Sequence, residues 1–353
     1  MSNVDQVPAL DSSDREPAGS LPTLSAEEQE LSDRVDRQLD TIERMLSEDV
    51  AFASPVVDAM ARYLLEAGGK RVRPRLTLLT AELGTGPNDN VLAAARAIEL
   101  THLASLYHDD VMDEADMRRG VAAAHTTWSN SVAILAGDLL FARASKIISA
   151  LGERAIRLQA DTFERLCLGQ LHETVGPVDG EDPIEHYLRV LADKTGSLIS
   201  TAAQMGVVFS DAPSAYEQPV VDFGDRLGVA FQLIDDVIDL LPGEETGKVA
   251  GTDLRAGVVT LPLLLLRQSA STTPADADLL ARIEEAVLLA DEGDDAGVDD
   301  LVVELREHPV TAETERVARE WADGAVSALD PLPDGQIRAS LVRLADAVIN
   351  RTR

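Results

Sequence analysis

A single cysteine, Cys167, in 353 residues leaves no disulfide possible within the chain and points to a reducing compartment, the cytoplasm. It reads as a buried small hydrophobe rather than a nucleophile. Aromatic residues are scarce, 3% against 45% apolar overall, so the core has to be built from Ala, Leu, Val and Ile, which suits packed helices. No apolar run approaches the roughly 18 residues needed to span a bilayer. The start, Met1-Ser2-Asn3-Val4-Asp5, has neither a basic region nor a hydrophobic stretch. Neither stable membrane insertion nor export is expected. Positive charge is the other shortage: the formal net charge is −31, which repels nucleic acid and anionic membranes alike. Lysine is rarest, confined to Lys70, Lys146, Lys194 and Lys248, while arginine supplies the rest. Where arginine is so favoured, a retained lysine marks a place that suits a compact ammonium better than a planar guanidinium.

The chain reads as one helical body. Residues 1–24, rich in Pro, Ser and acids, form a flexible tail, and the domain spans 25–353. Ser25 and Glu28 have capping-box spacing ahead of Leu31, Val35, Leu39, Ile42 and Leu46, the stripe of an amphipathic helix. Ser54-Pro55 opens a second helix and Gly68-Gly69 stops it. Apolar periodicity returns around Leu76 and from about Val91, then over 131–150, 154–175, 184–209, 219–241 and much of 260–353. Pro219 is placed at the first position of its helix. No strand is evident, so the fold class is all-α.

Two stretches repeat the same chemistry: Asp109-Asp110-x-x-Asp113 and Asp235-Asp236-x-x-Asp239, each near a helix C-terminus. Residues four apart share a helical face, so Asp109 projects with Asp113 and Asp235 with Asp239. Crowded carboxylates repel one another unless a hard cation such as Mg²⁺, sharing oxygens with a phosphate ligand and water, sits between them. One such motif in so acidic a chain reads as a solvated face. Two copies with apolar flanks, Leu103, Leu106, Val111 and Met112 around the first and Phe231, Ile234, Val237 and Ile238 around the second, point to metal.

Cations stand beside these acids: Arg118-Arg119, Lys194 with Thr195, and Lys248 in a glycine-bearing loop. A diphosphate bridging metal and cation satisfies both. A further basic group, Gly68-Gly69-Lys70-Arg71-Val72-Arg73-Pro74-Arg75, implies a second anion site. His102 lies two turns before Asp109, roughly 10 Å along the same stripe, which favours a ligand over a core histidine.

These motifs, with Gly169-Gln170, Phe231-Gln232 and Gly247-Lys248, resemble the trans-isoprenyl diphosphate synthases of the polyprenyl synthetase family, medium- to long-chain type, over roughly residues 40–350. The resemblance implies a single-domain helical bundle of the isoprenoid synthase type with a central cleft, a homodimer, and Mg²⁺-dependent condensation of isopentenyl diphosphate with an allylic diphosphate. It implies that Asp109, Asp113 and Asp235, with Asp239, bind Mg²⁺, and that Asp110 and Asp236 support them in catalysis. Arg118, Lys194, Thr195 and Lys248 fall on the allylic diphosphate, with Gln232 beside it. Lys70, Arg71, Arg73, His102 and Arg119 fall on the diphosphate of isopentenyl diphosphate.

In that chemistry the departing diphosphate leaves an allylic cation, which the alkene of the second substrate attacks. No protein nucleophile is needed. Many members of the family carry a lysine where this chain has Val258, so one cation contact is missing. Ala104 and Ser105, one turn before Asp109, are small where short-chain relatives commonly place an aromatic side chain. With Ala97 and Ala94 behind them, they imply a product of geranylgeranyl length or longer, with Leu140 and Phe141 as floor candidates. A class I terpene cyclase usually lacks a second full aspartate motif and the Gly-Gly-Lys-Arg-x-Arg-Pro segment. A regulatory subunit of a heteromeric synthase loses the metal ligands that are intact here.

Overall fold

The computed structural model describes residues 25–241, 250–291 and 297–352. The N-terminal stretch read as a tail and the loop carrying Gly247 and Lys248 lie outside the described residues. The described residues are helical nearly throughout, and among them the only strands are two residues each.

Helix α1 (Ala26–Asp49) opens on the expected capping box: the Glu28 amide donates to Ser25 Oγ and the Ser25 amide to Glu28 Oε2. Its stripe Leu31, Val35, Ile42 and Leu46 is buried. Helix α2 (Pro55–Glu66) starts with proline at its first position, where no amide is needed. It ends before Gly68 and Gly69, both at positive φ. Helices α3 (Val72–Ala81) and α4 (Asp89–Met112) follow. After α4 a hairpin pairs Met117–Arg118 with Val121–Ala122 through Arg119-Gly120. Both turn residues have positive φ, the backbone of a type I′ turn. The sequence showed no strand because two residues cannot display a period of two.

After a single turn α5 (Ala124–Thr127), helix α6 (Asn130–Ala150) packs along α4, and α7 (Glu153–Val175) packs in turn against α6. Cys167 is exposed on α7, not buried as expected. Helix α8 (Pro183–Leu191) runs through a π-turn, Ala192–Gly196, into α9 (Ser197–Phe209) without a break. Thr77 and Thr80 of α3 donate to the Ala202 and Ala203 carbonyls of α9 at 2.9 Å, tying the two helices side by side. Gly206 makes room for that approach, since a Cβ there would overlap the Thr80 hydroxyl and the Thr77 carbonyl. Helix α10 spans Glu217–Asp239 and begins two residues earlier than expected, after a 3₁₀ turn at Ser214–Tyr216. Pro219 is third rather than first, which costs no hydrogen bond because first-turn amides have no intrahelical acceptor.

The chain then passes α11 (Thr252–Arg255), α12 (Leu261–Ala270), α13 (Pro274–Asp291), α14 (Val298–Glu307), α15 (Pro309–Ala328) and α16 (Gln336–Ile349). The main core gathers residues of α1–α4, α6, α9, α10 and α16. A smaller one, including Leu240, Leu254, Leu266, Ile283 and Leu305, sits beyond the end of α10. Both aspartate motifs thus end long helices whose other faces are locked in apolar packing. No described helix is long and apolar enough to cross a membrane.

Candidate active site

The two motifs divide their aspartates in the same way. In the first, Asp110 is fully buried and accepts from Arg118 Nε at 2.5 Å, while its Oδ2 is sealed in without a hydrogen-bond partner. Asp109 is half-buried and Asp113, capping α4, is exposed. Burial, with Asp113 adding to it against Lys194, pushes the Asp109 carboxyl up to about 6. In the second motif, Asp236 is buried and held by neutral donors: the Tyr187 hydroxyl at 2.8 and 3.0 Å and the Leu261 amide at 3.1 Å. Burial pushes it up to about 8, against those two donors. Asp235 pairs with Arg351 at 2.8 Å, a contact of charge, and that guanidinium stacks 4.5 Å over the Phe231 ring. Asp239 takes the Asp253 amide on Oδ2 at 3.1 Å and the Gly251 amide on its carbonyl at 2.6 Å.

Asp110 and Asp236 therefore brace their helix ends from inside, while Asp109, Asp113 and Asp235 are left nearer solvent. Among the described residues no three acidic or imidazole groups converge into a ready cage for a metal ion. A hard divalent cation can be held by one or two carboxylates, with substrate phosphate oxygens and water completing its shell. A half-buried Asp109, whose charged form burial and then Asp113 disfavour against Lys194 and Arg118, suits such a cation.

Lys194 stands beside the first motif. Its ammonium donates to Glu173 at 2.5 Å, and although burial pulls its pKa down, Glu173 and then Asp109 outweigh this and raise it. Tyr187, which holds Asp236, has its hydroxyl kept protonated by burial first and then by Asp236 itself. The π-turn that carries Lys194 and Thr195 is pressed from two sides. A Cβ on Gly169 would come 2.7 Å from the Lys194 nitrogen, and one on Gly228 would come 2.5 Å from Gly196 Cα. Arg165 bridges Asp193 at 3.0 Å to Asp225 at 3.1 Å across the same turn. Gln170, next to Gly169, has its Oε1 buried without a partner, and Gln232 is half-buried one turn before Asp236.

The hairpin separates the two neighbouring arginines. Arg118 turns back to Asp110, whereas Arg119, at φ +53°, donates to the carbonyls of Leu64, at 2.8 Å, and Gly68. It thereby joins the basic segment at the start of α3. There Arg71 is buried against Glu43 and Glu99, Arg73 has its Nε buried without a partner, and Lys70 is exposed. Burial first, then Arg73 and Arg119, holds the His102 imidazole well below the usual histidine range, so it is neutral at physiological pH. Arg71, expected on the substrate, is engaged by protein groups instead. Val258 is exposed and leaves no cation at its position. Ala104 is buried on the face of α4 toward α6, where its carbonyl would lie 3.0 Å from a Cβ on Gly137. The Ser105 hydroxyl donates to the His102 carbonyl at 2.9 Å. Leu140 is buried and Phe141 meets Phe163 edge-on at 4.6 Å.

Several contributors were missed by sequence reasoning: Glu99, Glu43, Glu173, Tyr187, Arg165 and Arg351. Only Glu99 carried a local signal, a lone acid between Ile98 and Leu100 one turn before His102. The surface depressions near Arg338 and near Arg319 involve none of the predicted residues.

The polyprenyl synthetase family profile matches residues 54–291. The chain is 42% identical over 313 residues to nonaprenyl diphosphate synthase of Mycobacterium tuberculosis, covering 88% of this chain and 91% of that one. Among solved structures it is similar to a polyprenyl synthase from Caulobacter crescentus complexed with calcium and isoprenyl diphosphate. The TM-score is 0.81 at 31% identity, over 94% of this chain and 100% of that chain. A geranylgeranyl pyrophosphate synthase from Corynebacterium glutamicum, also complexed with calcium and isoprenyl diphosphate, gives a TM-score of 0.78 at 37% identity, covering 91% and 97%.

The bracing of Asp236 is open to a direct test. Tyr187→Phe removes the hydroxyl that meets both oxygens and leaves the buried carboxyl on one amide, so we expect a loss of about 1–3 kcal/mol in urea unfolding. An unchanged midpoint and slope would show that the hydroxyl does not hold this carboxylate.

Proposed function

The chain belongs to the polyprenyl synthetase family, and from that premise we propose that it condenses isopentenyl diphosphate with an allylic diphosphate in the presence of Mg²⁺. Diphosphate is released and a trans-polyprenyl diphosphate is lengthened to geranylgeranyl size or beyond. The observation that supports this reading is one acidic helix end, Asp109 with Asp113, drawing on Lys194, with a separate group of arginines near Asp109 and a second acidic helix end of the same pattern at Asp235-Asp236. One anion site with metal ligands and one without suit an activated donor and an unactivated acceptor. A class I cyclase has no use for the second.

In this reading Asp109, Asp113 and Asp235, with Asp239 behind them, hold Mg²⁺, which supplies the positive charge that stabilises the leaving diphosphate. Lys194, already drawn toward Asp109 and Asp113, turns from Glu173 to the allylic diphosphate, and Arg118 meets it from the hairpin, with Thr195 and Gln232 alongside. Lys248 is assigned to the same diphosphate from the sequence alone. Lys70, Arg73, His102 and Arg119 take the diphosphate of isopentenyl diphosphate. A neutral His102 donates one ring N–H there without adding charge. The chain's own part is to fix the two substrates in register and keep water from the allylic cation. The proton lost at the end passes to the released diphosphate, so no protein base is required.

The product grows along α4, away from Asp109. Ala94, Ala97, Ala155 and Ala202 bring small side chains among Ile98, Ile148, Leu166, Leu198 and Met205 in an apolar seam between α4, α6, α7 and α9. We also propose a homodimer and a cytoplasmic setting. Support for the dimer is a run of exposed apolar side chains on α6 and α7, among them Leu135, Phe163, Leu168, Leu171 and Val175.

Three measurements test these assignments. Incubation with Mg²⁺, an allylic diphosphate and labelled isopentenyl diphosphate is expected to give labelled products of geranylgeranyl length or longer. Diphosphate release without incorporation would indicate a cyclase, and no turnover with any primer unless a partner chain is added would indicate a regulatory subunit. Ser105→Phe and Ala104→Phe are expected to shorten the product, and unchanged length in both would sink the chain-length assignment. Leu168→Asp with Leu171→Asp is expected to halve the molecular mass seen in light scattering; a retained dimer mass would place the interface elsewhere.

A further inference from the structure

The arginine group at the start of α3 is unusual for what it contains besides arginines. Glu99, on α4, is 2% exposed, and it is buried among Arg71, Arg73, Arg119 and a neutral His102. A carboxylate that deep is costly unless paired and hydrogen-bonded.

A guanidinium has five N–H donors, and Arg71 uses all of them on protein acceptors. Nε donates to Glu43 Oε1, and Nη2 donates to Glu43 Oε2 at 3.3 Å and to the Leu65 carbonyl at 3.1 Å. Nη1 donates to the Gly68 carbonyl and to Glu99 Oε1, both at 3.2 Å. No donor remains for a substrate. The backbone of Arg71 is itself left-handed at φ +47°, a conformation a non-glycine residue adopts only where its surroundings impose it.

Arg119 and Arg71 close around Gly69. A Cβ there would lie 2.6 Å from Arg71 Nη1 and 3.0 Å from Arg119 Cζ. Arg119 is tied by Nη1 alone, to Leu64 and Gly68, leaving Nε and Nη2 available. Two guanidinium groups this near repel unless an acid lies with them. Burial works against the charge on both Arg73 and Arg119, and in each case Glu99 is the largest opposing influence.

We infer that Glu99 is the buried counter-ion that sets the spacing and aim of Arg73 and Arg119, and that Arg71 is a positioning residue, occupied in holding Glu99 and Glu43 rather than in touching substrate. Three guanidinium charges then face two carboxylates, so the group keeps a net positive charge for an incoming diphosphate without flying apart in its absence. This rests on the reading that Lys70, Arg73, His102 and Arg119 take the diphosphate of isopentenyl diphosphate.

The test is steady-state kinetics of the full chain with each substrate varied in turn. Glu99→Gln keeps the shape and removes the charge. It is expected to raise KM for isopentenyl diphosphate about tenfold, with KM for the allylic primer changed less than about twofold. Arg71→Lys keeps the charge but not the five-donor fork, and is expected to give the same selective rise. Glu43→Gln, on the half-exposed side of the pair, is expected to give a smaller one, and decides the matter together with Arg71→Lys if Glu99→Gln does not fold. Arg73→Gln serves as the reference. If Arg73→Gln raises KM for isopentenyl diphosphate selectively while the other variants do not, this inference is overturned and the site assignment stands. If Arg73→Gln affects both substrates equally or neither, the assignment itself falls, and the inference with it.

Discussion

The cost of keeping charge out of water without its ligand governs the arrangement of this site. A protein that is to grip two diphosphates must hold several cations and several carboxylates near one another before either substrate arrives, and each buried charge has to be answered by something. The answer takes three forms here. Asp110 is answered by a guanidinium, Asp236 by a hydroxyl and an amide, and the arginines at the start of α3 by Glu99 and Glu43. The groups left nearer solvent, Asp109, Asp113, Asp235 and Lys70, are among those proposed for metal and substrate.

That division explains why the doubled aspartate is useful. On a helix, neighbouring residues point about 100° apart, so one of two consecutive carboxylates can turn inward while the other faces out. The inward one fixes the helix end, and the outward one is then held without having to satisfy the packing. The two motifs are alike in this and different in their anchors. Asp110 is tied to a hairpin that also places Arg119, so the first motif is coupled to the arginine group at the start of α3. Asp236 is tied to Tyr187 and to the start of α12, so the second motif is coupled to α8 and to the smaller core beyond α10.

Most of the helical framework was legible because it rests on local rules. The capping box at Ser25, the proline at 55 and the apolar stripes over 131–150 and 154–175 each fall within a residue of the observed element. The failures share a cause as well. Nothing in the sequence around Lys194 announces a π-turn, because it depends on Gly169 and Gly228 of two other helices pressing against it. The hairpin at 117–122 depends on what Arg118 and Arg119 reach after the turn. Arg71 was placed on the substrate because motif reasoning counts charges, whereas its role is decided by which of its five donors are already taken.

Lysine and arginine divide along the same line. Where a cation must be locked, the chain uses arginine: Arg71 in its cage of acceptors, Arg119 on two carbonyls, and Arg165 between two aspartates. A planar fork loses little freedom per bond formed and stays charged when buried. Lys194 has a different task. It bonds one carboxylate, Glu173, while Asp109 and Asp113 draw on it, and a compact ammonium on a flexible stem can exchange that partner for a phosphate oxygen without rebuilding a fork. Under the proposed function, the scarcity of lysine in this chain has a local meaning at position 194: such a site needs one cation that can let go.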